Sequence, residues 1–197
     1  MIKPNAPSCE QNQQVILDVL KTLFTKPGNV LEIGSGTGQH AVFFTHHLSH
    51  LHWQPGDLEA EHVGMKLWFE EVVHDRIKTP IVLDVDMSSW PVAKMDYIFT
   101  ANTTHIISAA QAERMLQHVG EYLKQAGLFA QYGPFNYNGN YTSESNANFD
   151  VWLKQRNPES CIKDFEIIEQ HANRNGMQLF KDIEMPANNR ILVWQKI

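Results

Sequence analysis

The stretch Val30-Leu31-Glu32-Ile33-Gly34-Ser35-Gly36-Thr37-Gly38 constrains this chain more than any other. Val30 to Ile33 is an apolar run broken only by Glu32, the pattern of a short strand buried on both faces. Three glycines follow at alternate positions, and Gln39 to Leu48 then reads as a helix. A strand, a glycine-rich turn and a helix N-terminus bring backbone N–H groups against a ligand, because glycine has no side chain to hold it off. The spacing is G-x-G-x-G. A dinucleotide fingerprint asks for G-x-G-x-x-G, and Gln39 stands where its third glycine would be. Glu32 repels a diphosphate and suits a ligand that carries an ammonium and a sulfonium.

The rest of the chain repeats the strand-helix rhythm. Ser8 and Gln11 have the form of a capping box, and Ile16, Leu17, Leu20, Leu23 and Phe24 then mark one helix face that Pro27-Gly28 ends. Strands are expected at Leu51 to Gln54, Pro80 to Leu83, Asp96 to Thr100 and Leu128 to Tyr132. Helices are expected from Glu59 to His74 and after a second capping box, Ser108 with Gln111. Residues 133–163 break the rhythm as a long polar loop with scattered aromatics. A helix from Asp164 to Asn175 follows, then strands Gln178 to Glu184 and Arg190 to Gln195, whose short connection makes them an antiparallel hairpin. The expected fold is one α/β domain over residues 1–197. It is Rossmann-like, with a seven-stranded, mostly parallel sheet, a C-terminal antiparallel hairpin and helices on both faces.

Charge narrows the partners. The net charge is −6, from 22 acids against 16 bases, and no Lys/Arg cluster forms the basic stripe of a nucleic-acid binder. Two cysteines form no disulfide framework and suit a reducing compartment. Met1 to Asn5 has no apolar segment of the signal-peptide kind, and no uncharged apolar run approaches the ~18 residues of a membrane span. The expectation is a cytoplasmic protein with a small-molecule substrate and neither nucleic acid nor membrane as partner.

In such sheets ligands bind beyond the carboxyl ends of the strands. The glycine turn with Glu32, Gly34, Ser35, Gly36 and Gly38 is the first candidate, and the ligand chemistry it suits is that of S-adenosylmethionine (SAM). Asp57 lies 19 residues after Gly38, where a carboxylate accepts from both ribose hydroxyls. The same residue would also serve as a helix N-cap, or as the ribose acid of an NAD site. Asp84 and Val85 end the third strand and match the adenine amine and ring, with Asp86 as the competing acid. Asn102 and His105 end the fourth strand, beside a transferable methyl group. A neutral histidine there takes a proton from an acceptor hydroxyl or amine; the alternative is that it orients a loop. Tyr132, Tyr137, Asp150 and Arg156 are the candidate substrate-binding residues, in a segment with Tyr141, Phe149 and Trp152 that suits a lid over the acceptor. His46, His47, His50 and His52 cluster in sequence, but three sit at a helix C-terminus where the dipole favours histidine. No metal site is expected.

The E-x-G-x-G-x-G turn resembles motif I of class I SAM-dependent methyltransferases. Nearly the whole chain is similar to the DUF938 family (domain of unknown function 938), of the methyltransferase-like protein 26 type. The similarity rests on Glu10-Gln11-Asn12, Leu31 to His40, Trp53 to Asp57, Leu83-Asp84-Val85, and Asn102 with His105. It rests further on Tyr132-Gly133-Pro134-Phe135, Ser145-Asn146, Phe149-Asp150, Arg156-Asn157-Pro158, Lys163-Asp164 and Met185-Pro186-Ala187-Asn188-Asn189. The resemblance implies the methyltransferase fold, a SAM site and methyl transfer to O, N or S, with no family substrate to carry over. Thr103, Ile107, Ser108, Cys161 and Lys163 depart from the family pattern. Two other functional classes are weighed against methyl transfer: an NAD-dependent oxidoreductase, and a non-catalytic subunit of the same fold that binds a protein.

Overall fold

The computed structural model describes residues 3–73 and 75–197. Seven strands form one sheet: β1 Gly28–Ile33, β2 Leu51–Asp57, β3 Ile81–Val82, β4 Met95–Ala101, β5 Leu123–Gly133, β6 Met177–Met185 and β7 Asn189–Lys196. Their order is β3-β2-β1-β4-β5-β7-β6. Only β7 runs against the others, pairing antiparallel with both β5 and β6. Among the described residues six α-helices flank the sheet: α1 Pro7–Leu23, α2 Gln39–His47, α3 His62–Phe69, α4 Ala109–Tyr122, α5 Glu144–Arg156 and α6 Phe165–Arg174.

Side-chain alternation along the strands builds two cores. Val30, Tyr97, Phe99, Leu128, Ala130, Ile191 and Val193 point to the face covered by α1 and α2. Leu31, Ile33, Ile98, Phe129, Leu192 and Trp194 point to the face covered by α4 and α6. Strands buried on both faces therefore read as continuous apolar runs. On β1 the alternation leaves Glu32 as the one carboxylate on its face, next to Trp53.

Several expectations need correction. Helix α1 starts at Pro7 with Ala6 as N-cap and no side-chain cap, so the Ser8 capping box does not form. Proline at the first helical position supplies the right φ and lacks an N–H to satisfy, and Ser8 is already inside the first turn. The helix expected from Glu59 is a 3-10 turn, Glu59–Glu61, followed by α3, which stops at Phe69. Glu70 and Glu71 come next, and acids are unfavourable at a helix C-terminus. The expected end at His74 lies outside the described residues. Strand β3 is only two residues long, with Pro80 before it unable to donate to a ladder. The Ser108 capping box, in contrast, is present in both directions.

The polar stretch 133–163 is not a loop throughout, because it contains α5. Its N-cap Ser143 accepts from the Asn146 N–H at 3.1 Å. The residues α5 buries are Asn146, Asp150 and Leu153. They recur at helical spacing, but two of the three are polar, so a search for apolar periodicity passes over them.

Candidate functional site at the switch point

Strand order reverses between β1 and β4, and that is where an open α/β sheet forms its crevice. The two loops at this point touch. Gly34 has φ +71°, and a Cβ there would lie 2.4 Å from Thr103 Oγ1 on the β4–α4 loop. Gly36 also has positive φ, +53°, but a Cβ on it would meet nothing within 4 Å. The turn is therefore packed against protein at one glycine and open at the next. Gln39 explains its own departure from the dinucleotide pattern. Its Oε1 accepts from the Ala6 N–H at 2.6 Å, and its Nε2 donates to Asn5 Oδ1 at 2.7 Å. The segment before α1 is thereby tied to the start of α2.

The acids of the site sit in different surroundings. Glu32 is 2 % exposed, and its Oε2 accepts from Trp53 Nε1–H at 2.9 Å. Burial pushes its carboxyl up to about 7, with Asp57 adding repulsion against the bonds from Trp53 and Ser35. Asp57 Oδ2 accepts from the Gly36 N–H at 2.6 Å, and Oδ1 from the Leu58 N–H at 2.7 Å. Burial raises its pKa, and those two backbone N–H groups offset part of the rise. Asp57 thus joins the end of β2 to the tip of the glycine turn. At the third strand, Asp86 is committed elsewhere: it accepts from Gln111 Nε2 at 2.8 Å and pairs with Arg114 on α4. Asp84 is half-buried and accepts from the Asp86 N–H, while the Val85 side chain packs into the core.

Beside this crevice lies a cavity of about 800 Å³. Six segments wall it: the first turns of α1, the β4–α4 loop, the end of β5, the α5 face, the turn after α5, and the β6–β7 connection. Asn102 and His105 both line it, as do Tyr132 and Arg156. Asn102 has φ +61°, a left-handed conformation that asparagine tolerates better than most residues, and its N–H donates to the Tyr132 carbonyl at 3.0 Å. His105 is 5 % exposed and meets Phe149 edge-on, with ring centroids 5.2 Å apart. Burial, with the charge of Lys163 adding to it, lowers its pKa to about 4. The ring is therefore neutral at physiological pH.

Two substrate candidates are placed away from the cavity. The Tyr137 hydroxyl donates to Asp182 Oδ2 at 2.7 Å, and its ring stacks on Phe165. Asp150 is 2 % exposed and accepts from the Ile162 N–H at 2.6 Å and the Tyr141 hydroxyl at 2.7 Å, with Lys154 Nζ 2.6 Å away. Burial opposes its charge, but Lys154, Ile162 and Tyr141 outweigh it and hold the carboxyl below its usual range. Asp150 pins the inserted segment together. Lys163 Nζ donates to the Ile107 carbonyl at 2.7 Å and so fixes that segment to the loop carrying His105.

Some lining residues escaped the residue-by-residue reading. Asn12 Oδ1 lies 2.7 Å from His40 Nε2, and its side chain also bonds the Tyr132 hydroxyl. Gln11, Asn146, Ala187 and Asn189 line the cavity as well. Each lies in or beside a block that carries the family resemblance, and that was the available signal.

The fold is that of the class I methyltransferases. An O-methyltransferase family protein from Burkholderia thailandensis superposes with a TM-score of 0.83 at 15% identity, over 96% of this chain and 57% of that one. Human N-acetylserotonin methyltransferase, solved in complex with SAM, gives 0.80 at 12%, over 96% and 52%. An O-methyltransferase family 2 protein from Planctomyces limnophilus, in complex with apigenin, gives 0.81 at 16%, over 94% and 56%. This chain spans little more than half the length of these neighbours. Over residues 3–196 it matches the family described as "Protein of unknown function (DUF938)", and it belongs to that family. Among the described residues no helix is long and apolar enough to cross a membrane.

Proposed function

We propose that the protein transfers a methyl group from SAM to an O, N or S nucleophile of a small-molecule acceptor. One observation carries this reading: an open glycine turn over a buried carboxylate shares the switch point with the cavity that holds Asn102 and His105. The residues fit the cofactor. A Cβ on Gly36 would meet nothing within 4 Å, and Glu32 beneath the turn offers a negative charge to a cationic ligand. Gly34, Ser35, Gly36 and Gly38 would hold it through the backbone, Asp57 through the ribose, Asp84 and Val85 through the adenine, and Asn102 near the methionine end.

When bound, SAM supplies an electrophilic methyl on a sulfonium whose leaving thioether is neutral and needs no Lewis acid. The protein's part is to align the acceptor, exclude water and remove one proton. His105 is the general base in this reading. An NAD-dependent oxidoreductase is disfavoured by Gln39 at the third glycine position and by Glu32, which opposes a diphosphate. A non-catalytic role is disfavoured by the cavity beside the turn.

Calorimetry with SAM, S-adenosylhomocysteine and NAD tests the assignment. SAM and S-adenosylhomocysteine are expected to bind, and NAD is not. Tight NAD binding without SAM binding sinks the reading.

A further inference from the structure

The cavity wall has a composition unlike the rest of this acidic protein. Among the described residues that line it there is no aspartate, glutamate or lysine, and the single full charge is Arg156. Arg156 makes no ion pair among the described residues; its guanidinium lies over the Trp152 ring, 4.7 Å from the centroid. Trp152 stacks on Phe149 at 5.6 Å and 19°, and Phe149 meets His105 at 5.2 Å. Phe149, Trp152, Leu153 and Arg156 share one face of α5 by their spacing. Neither Phe149 nor Trp152 packs into either hydrophobic core, and Trp152 is 46% exposed. These rings form a wall that runs from a neutral imidazole to a cation, and the lining also holds the neutral amides Gln11, Asn12, Asn102 and Asn189.

On the methyl-transfer reading above, we propose that the acceptor is an aromatic hydroxy acid: a planar ring stacked along α5, its phenolic hydroxyl at His105 and its carboxylate at Arg156. Flat rings gain most from stacked and edge-on aromatic contacts. An acid-free wall with one cation selects an anion and rejects an amine, because an ammonium would be desolvated with no partner. The base identifies the atom. An amine attacks through a free lone pair, whereas a hydroxyl must lose a proton as it bonds to carbon. The hydroxyl oxygen gains the methyl carbon, its proton goes to the His105 imidazole, and the C–S bonding pair leaves with sulfur as the neutral thioether. A phenol, ionising near pH ~10, gives up its proton more readily than an alkyl alcohol and so asks less of the base.

The test uses matched ligands on two scaffolds, 4-hydroxyphenyl and 6-hydroxynaphthalene, each as carboxylate, neutral amide and primary amine. Binding to the full chain is followed by tryptophan fluorescence with and without S-adenosylhomocysteine, whose own binding is measured by calorimetry. On at least one scaffold the carboxylate should bind at least tenfold more tightly than the amine. Arg156→Gln should remove that preference while leaving the amide within about threefold. Circular dichroism checks that the variant is folded, and Arg156→Lys should restore part of the preference. Equal binding of the three forms, preference for the amine, or no binding on either scaffold overturns the proposal. Failure of S-adenosylhomocysteine to bind overturns the methyl-transfer reading instead, and the carboxylate-over-amine comparison in the free protein still reads the cavity.

Discussion

The crevice at the glycine turn and the cavity beside it share one edge of the sheet but are built differently. The turn and the ends of β2 and β3 place ligand-facing groups through backbone geometry. Gly34 and Gly36 have positive φ, and Asp57 bonds the Gly36 N–H. The cavity is made of side chains from six segments of the chain. Its shape depends on polar bonds that fix the inserted segment, above all those of Asp150 and Lys163. The first site is thus set by local backbone geometry, while the second depends on side chains brought together from distant parts of the chain.

If the two regions have separate tasks, substitutions should separate them. The largest effect is expected from His105→Gln. It should cut turnover by about 10²–10⁴-fold, the range for loss of a general base, and leave SAM affinity near wild type. Loss of SAM binding with turnover intact at saturating SAM would move His105 to the cofactor side. Asp57→Ala should do the reverse, weakening SAM by about 1.5–3 kcal/mol, the scale for bonds to a charged group. Acceptor binding should be unchanged, and equal loss of both ligands would show that the regions are one unit.

Asp150→Ala leaves the buried Ile162 N–H without its acceptor and should cost about 1–3 kcal/mol. Hydrogen exchange should quicken across residues 140–163 and not in the glycine turn. In the wild type α5 should already be protected without ligand, as a fixed wall. If it becomes protected only when cofactor and acceptor bind together, the segment is a lid.

Smaller effects concern pH. His40 and His105 are buried, their pKa values lowered to about 4 from an ordinary 6.5. The unfolded chain then binds more protons between those limits, so stability falls as pH drops from about 6.5 towards 4. Glu32, raised to about 7 from 4.5, acts oppositely: its contribution is lost as pH rises through that window. Asp57, also raised by burial, acts in the same sense as Glu32; the two histidines are expected to dominate, so Tm should fall between pH 7 and pH 5, and His105→Gln should flatten the decline. A Tm that rises on acidification would mean the two carboxyls dominate. The smallest signal is a fraction of a proton. A cationic ligand at the glycine turn should draw the Glu32 pKa down and release protons at pH 7, measured by calorimetry in buffers of different ionisation enthalpy. Proton uptake would indicate an anionic ligand there.

The sequence by itself determined the strand–turn–helix unit, the rhythm of β1 to β5, the hairpin and the Ser108 cap. In each case the signal is short-range: apolar runs, glycine spacing, or a cap with its partner three residues on. Asp57 and Asn102 were legible because strand ends point to one edge in any sheet of this class. The tertiary structure decided what depends on distant partners. Tyr137 and Asp150 have side chains suited to binding a substrate, yet Asp182 and the Ile162 N–H claim them. Helix α5 was hidden because the face it buries is partly polar, and Asn188 and Ile162 supply its bonds from other segments. The charge state of His105 was decided there too, because an imidazole takes its pKa from the burial around it, and Phe149 and Lys163 reach it only in the folded chain.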